Sequence, residues 1–270
     1  MTSIEDLRYA PRLLTRPALR GLAAETTLQH FVIVTYWVEP SILRKHLHPR
    51  FDPVCLAVNG GARQALVSVV TFLDRDFRFA AFPWFKRSFG QTNYRAYITD
   101  TQTGEQAAWF FGTCLDSVSV AIPRYLWRLP WHHARMHFTC QYDKAKARYT
   151  SFDVRTRSHW APARLVIEDS GNPPTQLAGV SNLESALVLF THPVRGYFFR
   201  QDGSLGSYSV WHDRAQVTVG AVHEASYPLL RKLELVEDGD QSGIHSVLIQ
   251  PRIDFTIYLP PSKVATHSAI

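Results

Sequence analysis

Short apolar runs, many of them alternating apolar with polar, organise this chain far more than any helical period does. They fall at His30 to Val38, Gln64 to Leu73, Asn93 to Ile98, Ala107 to Thr113, Arg135 to Tyr142, Arg148 to Thr156 and Arg164 to Glu168. They recur at Tyr197 to Arg200, Ser207 to His212, Gln216 to His223, Leu230 to Val236 and His245 to Leu259. Strands at such short spacing predict a barrel or sandwich and argue against alternating β-α units. Two helices are predicted. One spans Pro40 to His46, where Pro in the first turn costs no hydrogen bond. The other spans Ser181 to Thr191, with Ser181 and Glu184 at capping-box spacing, and it should stop before Pro193. The breaks at Ala80 to Trp84, Asp169 to Pro174 and Glu237 to Gly243 are short and turn-like, and Gly60-Gly61 reads as a turn without the spacing of a phosphate-binding loop. The expectation is one domain over residues 1–270, with an N-terminal arm to residue 27 and a C-terminal tail from residue 261.

Composition adds bulk and charge. With 270 residues, 46% hydrophobic and 13% aromatic, the chain can bury a large core. Glu5 and Asp6 precede any apolar run, unlike a signal peptide, and no apolar stretch reaches the length of a membrane span, so a cytoplasmic protein with no membrane partner is expected. Cys55, Cys114 and Cys140 are odd in number and far apart, which predicts buried thiols in place of disulfides or a zinc site. The net charge of +6 comes mainly from Arg residues scattered among strands and aromatics. That distribution argues against nucleic acid and suits bidentate capture of a carboxylate or phosphate on a small ligand.

The chemistry visible without further context is sparse. There is no G-x-S-x-G elbow, no H-E-x-x-H and no G-x-G-x-x-G, so no metal or cofactor is expected. His192 is accounted for by the favourable position of a cation near a helix C-terminus. Lys45 beside Arg44 would be an activated amine only if buried, and its amphipathic helix favours exposure. Asn93, Arg95 and Tyr97 share one strand face, while Tyr94, Ala96 and Ile98 share the other. Alternation alone leaves open which set faces inward. An inward Arg95 would require a carboxylate such as Asp116, a ligand or water beside it.

Five segments carry a family resemblance. PRYLWRLPWHHARM (Pro123 to Met136) resembles the lysine loop of the acetoacetate decarboxylase superfamily, with Arg124 and Pro130 in frame but Trp131 and His132 at the two lysine positions. VTYWVEPSILRKHLHP (Val34 to Pro49) resembles the family's first strand and helix, and QPRIDFTIYLP (Gln250 to Pro260) its closing strand. TNYRAYITD (Thr92 to Asp100) and AAWFFGTCLD (Ala107 to Asp116) are similar to an uncharacterised bacterial branch, a domain of unknown function, that keeps Asn-x-Arg-x-Tyr and lacks the lysine pair. The resemblance covers roughly residues 28 to 260.

The resemblance implies a mainly β fold, a single curved antiparallel β-barrel with a few short helices and an aromatic cavity. It turns Asn93, Arg95 and Tyr97 inward and nominates Trp109, Phe111, Trp131, Asp116, Arg124 and His133 as further ligand contacts. In the leading reading the cavity binds a small, partly apolar organic acid or ketone. If the protein is an enzyme, Arg95 anchors the anion and His132, at a lysine position, moves a proton in a lyase, hydratase or isomerase-like step that uses no imine. Trp131 and His133 would then share a strand face opposite His132, and a structural His pair at a strand entrance is the competing account. The alternative function is a non-catalytic barrel that carries a lipid-like or aromatic metabolite. The aromatic segment Phe77 to Phe89 is read as a lid or as a contact between copies in a homo-oligomer.

Overall fold

In a computed structural model, residues 4–58 and 61–265 are described. Gly60 of the expected Gly60-Gly61 turn lies outside them. The first long strand, β1 (Ala24–Val38), is followed by the short β2 (Phe51–Pro53) and β3 (Cys55–Ala57), then by β4 (Arg63–Phe79), β5 (Arg87–Asp100) and β6 (Gln106–Leu115). After β7 (Trp131–His133) come β8 (Arg135–Asp143), β9 (Arg148–Arg157) and β10 (Ala163–Asp169). The chain finishes with β11 (Arg195–Phe199), β12 (Leu205–His212), β13 (Thr218–Ser226) and β14 (Ile244–Lys263).

Pairing in the order β1-β4-β5-β6-β11-β12-β14 returns to β1, because β14 also pairs with β1, and this closes a ring of strands. Val34 lies opposite Val69 of β4 on one side and Val247 of β14 on the other. The neighbours are antiparallel except that β6 runs parallel to β11 and to β7. From β14 a second arm, β13-β10-β9-β8, leaves the ring.

Both faces of the ring are covered, which explains why the middle of β1, Val32 to Tyr36, is buried without a break. Val32, Val34, Tyr36, Tyr94 and Trp109 belong to one core with Phe152 and Leu165 of the second arm. Ile33, Leu66 and Tyr97, on the opposite face, pack with the helix Leu183–Thr191 through Ala186, Leu189 and Phe190. That helix plugs the ring. Its N-cap is Asn182, whose side chain accepts from Ser185 N at 3.0 Å, and not Ser181 as the spacing predicts. Ser181 is taken instead by the N-terminal arm, where its hydroxyl donates to Glu5 Oε2 at 2.6 Å, and Glu184 accepts from Tyr9 N.

Leu230 to Val236 is a second correction. It holds the end of the helix Pro228–Lys232 and a turn in place of a strand. Pro228 presets the first turn, and Leu229, Leu230 and Leu233 recur at helical spacing. The first predicted helix is shorter than expected, at Pro40–Arg44, and Lys45 beyond it is exposed. Among the described residues no helix is long and apolar enough to cross a membrane.

Candidate ligand cavity

The ring encloses a cavity of about 350 Å³. Its position follows from strand alternation on β4 and β5. Val70, Phe72 and Asp74 face it from β4, and Phe89, Gln91, Asn93 and Arg95 face it from β5. Phe110 of β6, Tyr208, Val210 and His212 of β12, and Phe255 of β14 complete the wall. Pro123, Trp127 and Trp131 come from the segment that resembles the family's lysine loop. No lysine is among the lining residues.

Arg95 is the principal charge. It is 8% exposed, its Nη2 donates to the Phe190 carbonyl at 2.8 Å, and its guanidinium lies over the Tyr97 ring at 5.5 Å. Tyr97 braces this floor, since its hydroxyl lies 2.7 Å from Ser68 Oγ, which in turn meets Thr35 Oγ1. The Phe190 carbonyl sits at the C-terminal end of its helix, where the peptide dipoles favour a cation. One carbonyl does not neutralise a full charge, and Arg95 Nε has no partner. Among the described residues no carboxylate pairs with Arg95. Asp116 is engaged elsewhere, accepting from Met136 N at 3.2 Å.

Around Arg95 the other polar groups are neutral. His212 is buried, holds the Asp213 carbonyl through Nδ1 at 2.7 Å and stacks on Phe255. Burial, followed by the neighbouring His192, lowers its pKa to about 4. Tyr208 packs its ring against Phe110, and burial keeps its hydroxyl well above the ordinary range despite the opposing pull of Arg95. Asn93 Oδ1 accepts from Gln91 Nε2 at 2.9 Å and Thr113 Oγ1 at 2.7 Å, which leaves its amide nitrogen for the cavity.

Of the residues nominated from sequence, Asn93, Arg95 and Trp131 line the cavity and Tyr97 lies directly beneath it. The others do not. Trp109 and Phe111 face the outer core, with Trp109 against Phe51 and Phe199 and Phe111 against His46. A bulge sets this register, because Tyr94 lies opposite Gly112 while Arg95 lies opposite Phe110, so Phe111 has no partner. Arg124 braces its own loop, donating to the Trp131 carbonyl at 2.6 Å, and His133 is exposed.

His132 also points away from the cavity. It lies opposite Cys114 of the outer core, and its ring stacks on Trp160 at 4.1 Å with an interplanar angle of 6°. Burial and then Arg124, 3.2 Å from Nδ1, lower its pKa to about 4. The predicted alternation of Trp131, His132 and His133 is present, but it puts the imidazole on the wrong side to meet a ligand beside Arg95.

Sequence reading missed Asp74, Tyr208, His212 and Phe110. Asp74 was the most legible of these, because it shares the parity of Val70 and Phe72 on an apolar strand. Among the described residues no three His, Cys, Asp or Glu side chains are grouped to hold a metal.

The model of a family described as an uncharacterized conserved protein, DUF2071, matches residues 25–254. Among curated proteins none matches significantly. Solved structures similar to the chain include acetoacetate decarboxylase from Legionella pneumophila, with a TM-score of 0.58 and 15% identity over 94% of each chain. An acetoacetate decarboxylase-like enzyme from Sphingomonas wittichii has a TM-score of 0.59 and 10% identity, over 90% of this chain and 92% of that one. The enduracididine biosynthesis enzyme MppR complexed with pyruvate has a TM-score of 0.56 and 12% identity, over 95% and 97%. At these identities the likeness establishes the fold.

Proposed function

Because the chain belongs to the DUF2071 family and has the acetoacetate decarboxylase-like fold, we propose that it binds a small, partly apolar organic acid inside the ring, with the carboxylate on Arg95. The observation that carries this reading is a buried guanidinium that lines an apolar cavity and lacks a carboxylate partner. A buried charge is costly unless paired and hydrogen-bonded, and a ligand anion supplies both. Asn93 and Tyr208 add hydrogen-bond donors, and Phe72, Phe89, Phe110 and Phe255 take the apolar body of the acid. Pyruvate bound to MppR is a precedent on this fold for a small carboxylate ligand. Binding without an imine fits a lining that contains no lysine. His132 has no part in the proposed site.

Calorimetry with a straight-chain carboxylic acid and its methyl ester tests the reading. The acid is expected to bind and the ester to bind at least about tenfold more weakly, since a hydrogen bond to a charged group contributes about 1.5–3 kcal/mol. Arg95→Met should lose the distinction without loss of thermal stability, because removing an unpaired buried charge in favour of an apolar side chain is neutral or stabilising. His132→Ala should leave affinity within about twofold, since a contact absent from the site contributes nothing to it. Equal binding of acid and ester, or an Arg95→Met variant with wild-type affinity for the acid, overturns the assignment.

A further inference from the structure

The cavity holds a second buried group without a full set of partners. Asp74 is 1% exposed, lines the cavity beside Phe72, and lies opposite Leu28 of β1 and Phe89 of β5. The neighbouring Thr26 hydroxyl donates to the Arg75 carbonyl at 3.1 Å, and Asp74 Oδ2 has no partner. Cations near the mouth are otherwise engaged. Arg78 lies 3.2 Å from Glu25, and Arg87 stacks over Phe85. Burial raises the Asp74 pKa to about 7, so near neutrality both its protonated and ionised forms are populated.

Asp74 and Arg95 are separated along the same ladder. Ser68 faces Arg95 and Asp74 faces Phe89, so the two groups stand six residues apart on β5, roughly 20 Å of strand at ~3.3 Å per residue. Between them the polar pair Gln91 and Asn93 bond one another, and Val70 and Phe72, opposite Asn93 and Gln91, present apolar wall. A few polar groups in an apolar cavity fix a ligand's orientation, and here two of them wait at different depths.

We propose that the ligand is a hydroxycarboxylic acid whose carboxylate sits on Arg95 and whose hydroxyl, at the far end of an apolar body, bonds Asp74. The proposal rests on the Arg95 reading above. A hydroxyl suits Asp74 better than an ammonium, because it both donates and accepts and so serves either protonation state of the carboxyl. An ammonium would require the ionised form, which burial disfavours.

The experiment is calorimetry at neutral pH with decanoic acid, ω-hydroxydecanoic acid and ω-aminodecanoic acid. The hydroxy acid is expected to bind about tenfold tighter than decanoic acid, as restoring a partner to a buried oxygen requires. In Asp74→Ala the advantage of the hydroxy acid over decanoic acid should fall below about twofold, because the partner of the hydroxyl is removed. Asp74→Asn keeps a donor and an acceptor, so it should retain most of the advantage, and the wild-type comparison needs no variant at all.

If decanoic acid binds as tightly as the hydroxy acid, and Arg95→Met still weakens it, the hydroxyl site is wrong and the carboxylate site stands. A preference for the amino acid over the hydroxy acid also overturns the hydroxyl assignment. Absence of binding by both acids removes the Arg95 reading and this one with it.

Discussion

Asp74 makes the ligand-free protein sensitive to pH in a direction unusual for a carboxylate. Its pKa is about 7 in the folded chain, whereas an unfolded Asp titrates near 4. Between those values the folded state holds the proton that the unfolded chain has released, so stability is fully present below about pH 4 and is lost as pH rises through 7. Each pH unit across that interval removes about 1.4 kcal/mol, so the loss amounts to a few kcal/mol. Asp74→Asn removes the proton-linked part. Urea denaturation at pH 5 and pH 8 should show the variant gaining on wild type toward pH 8, and parallel behaviour at both values would contradict the buried, unpaired carboxyl. His212 has the opposite sign. Its folded pKa, lowered to about 4, means that stability is lost as pH falls from about 6.5 toward 4. Acid therefore strains the Arg95 end of the cavity, and base strains Asp74.

At the scale of elements, β5 was readable in sequence and β6 was not. On β5, polar Asn93 and Arg95 alternate with apolar Tyr94 and Ala96, so only the choice of face was open, and the family resemblance turned the polar set inward. On β6 both faces are apolar. Ala107 and Trp109 enter the outer core while Phe110 enters the cavity, and polarity marks neither. Which face Trp109 takes depends on its partner Ala96, which pairing across strands reveals and local composition does not. His132 was misplaced for a related reason. Alternation separates it from Trp131, but the register with Thr113 and Cys114 decides which of the two enters the cavity.

The bulge yields a paired prediction. Trp109→Ala should cost about 3–5 kcal/mol of stability, as large aromatic deletions in a core do, while leaving the folded fraction's affinity for the acid within about twofold. Phe110→Ala should change affinity severalfold, because it removes a wall of the cavity. Denaturation curves together with calorimetry on both variants check this, and affinity that follows Trp109 instead of Phe110 would refute the β6 register.

For the whole molecule, the ring of strands is shared with the superfamily whose lysine loop the chain resembles, yet its interior offers different chemistry. The chain has only six lysines, Lys45, Lys86, Lys144, Lys146, Lys232 and Lys263, and none lines the cavity. Lys86 comes nearest in sequence to the lining, between Phe85 and Arg87, but it is exposed on the β4–β5 hairpin tip with Phe82 and Trp84. An amine that forms an imine must be unprotonated, which requires burial or a cationic neighbour in a dry site. Borohydride reduction in the presence of acetoacetate should therefore leave the intact mass unchanged, while a bound acid still raises the melting temperature. At a hundredfold excess over Kd, ligand binding adds about 2.7 kcal/mol to folding stability whether or not a bond forms. The two readouts separate occupancy from covalency. A thermal shift without a mass increment is the expected result, and a reduced adduct on any lysine-containing peptide would mean that an amine reaches the ligand after all.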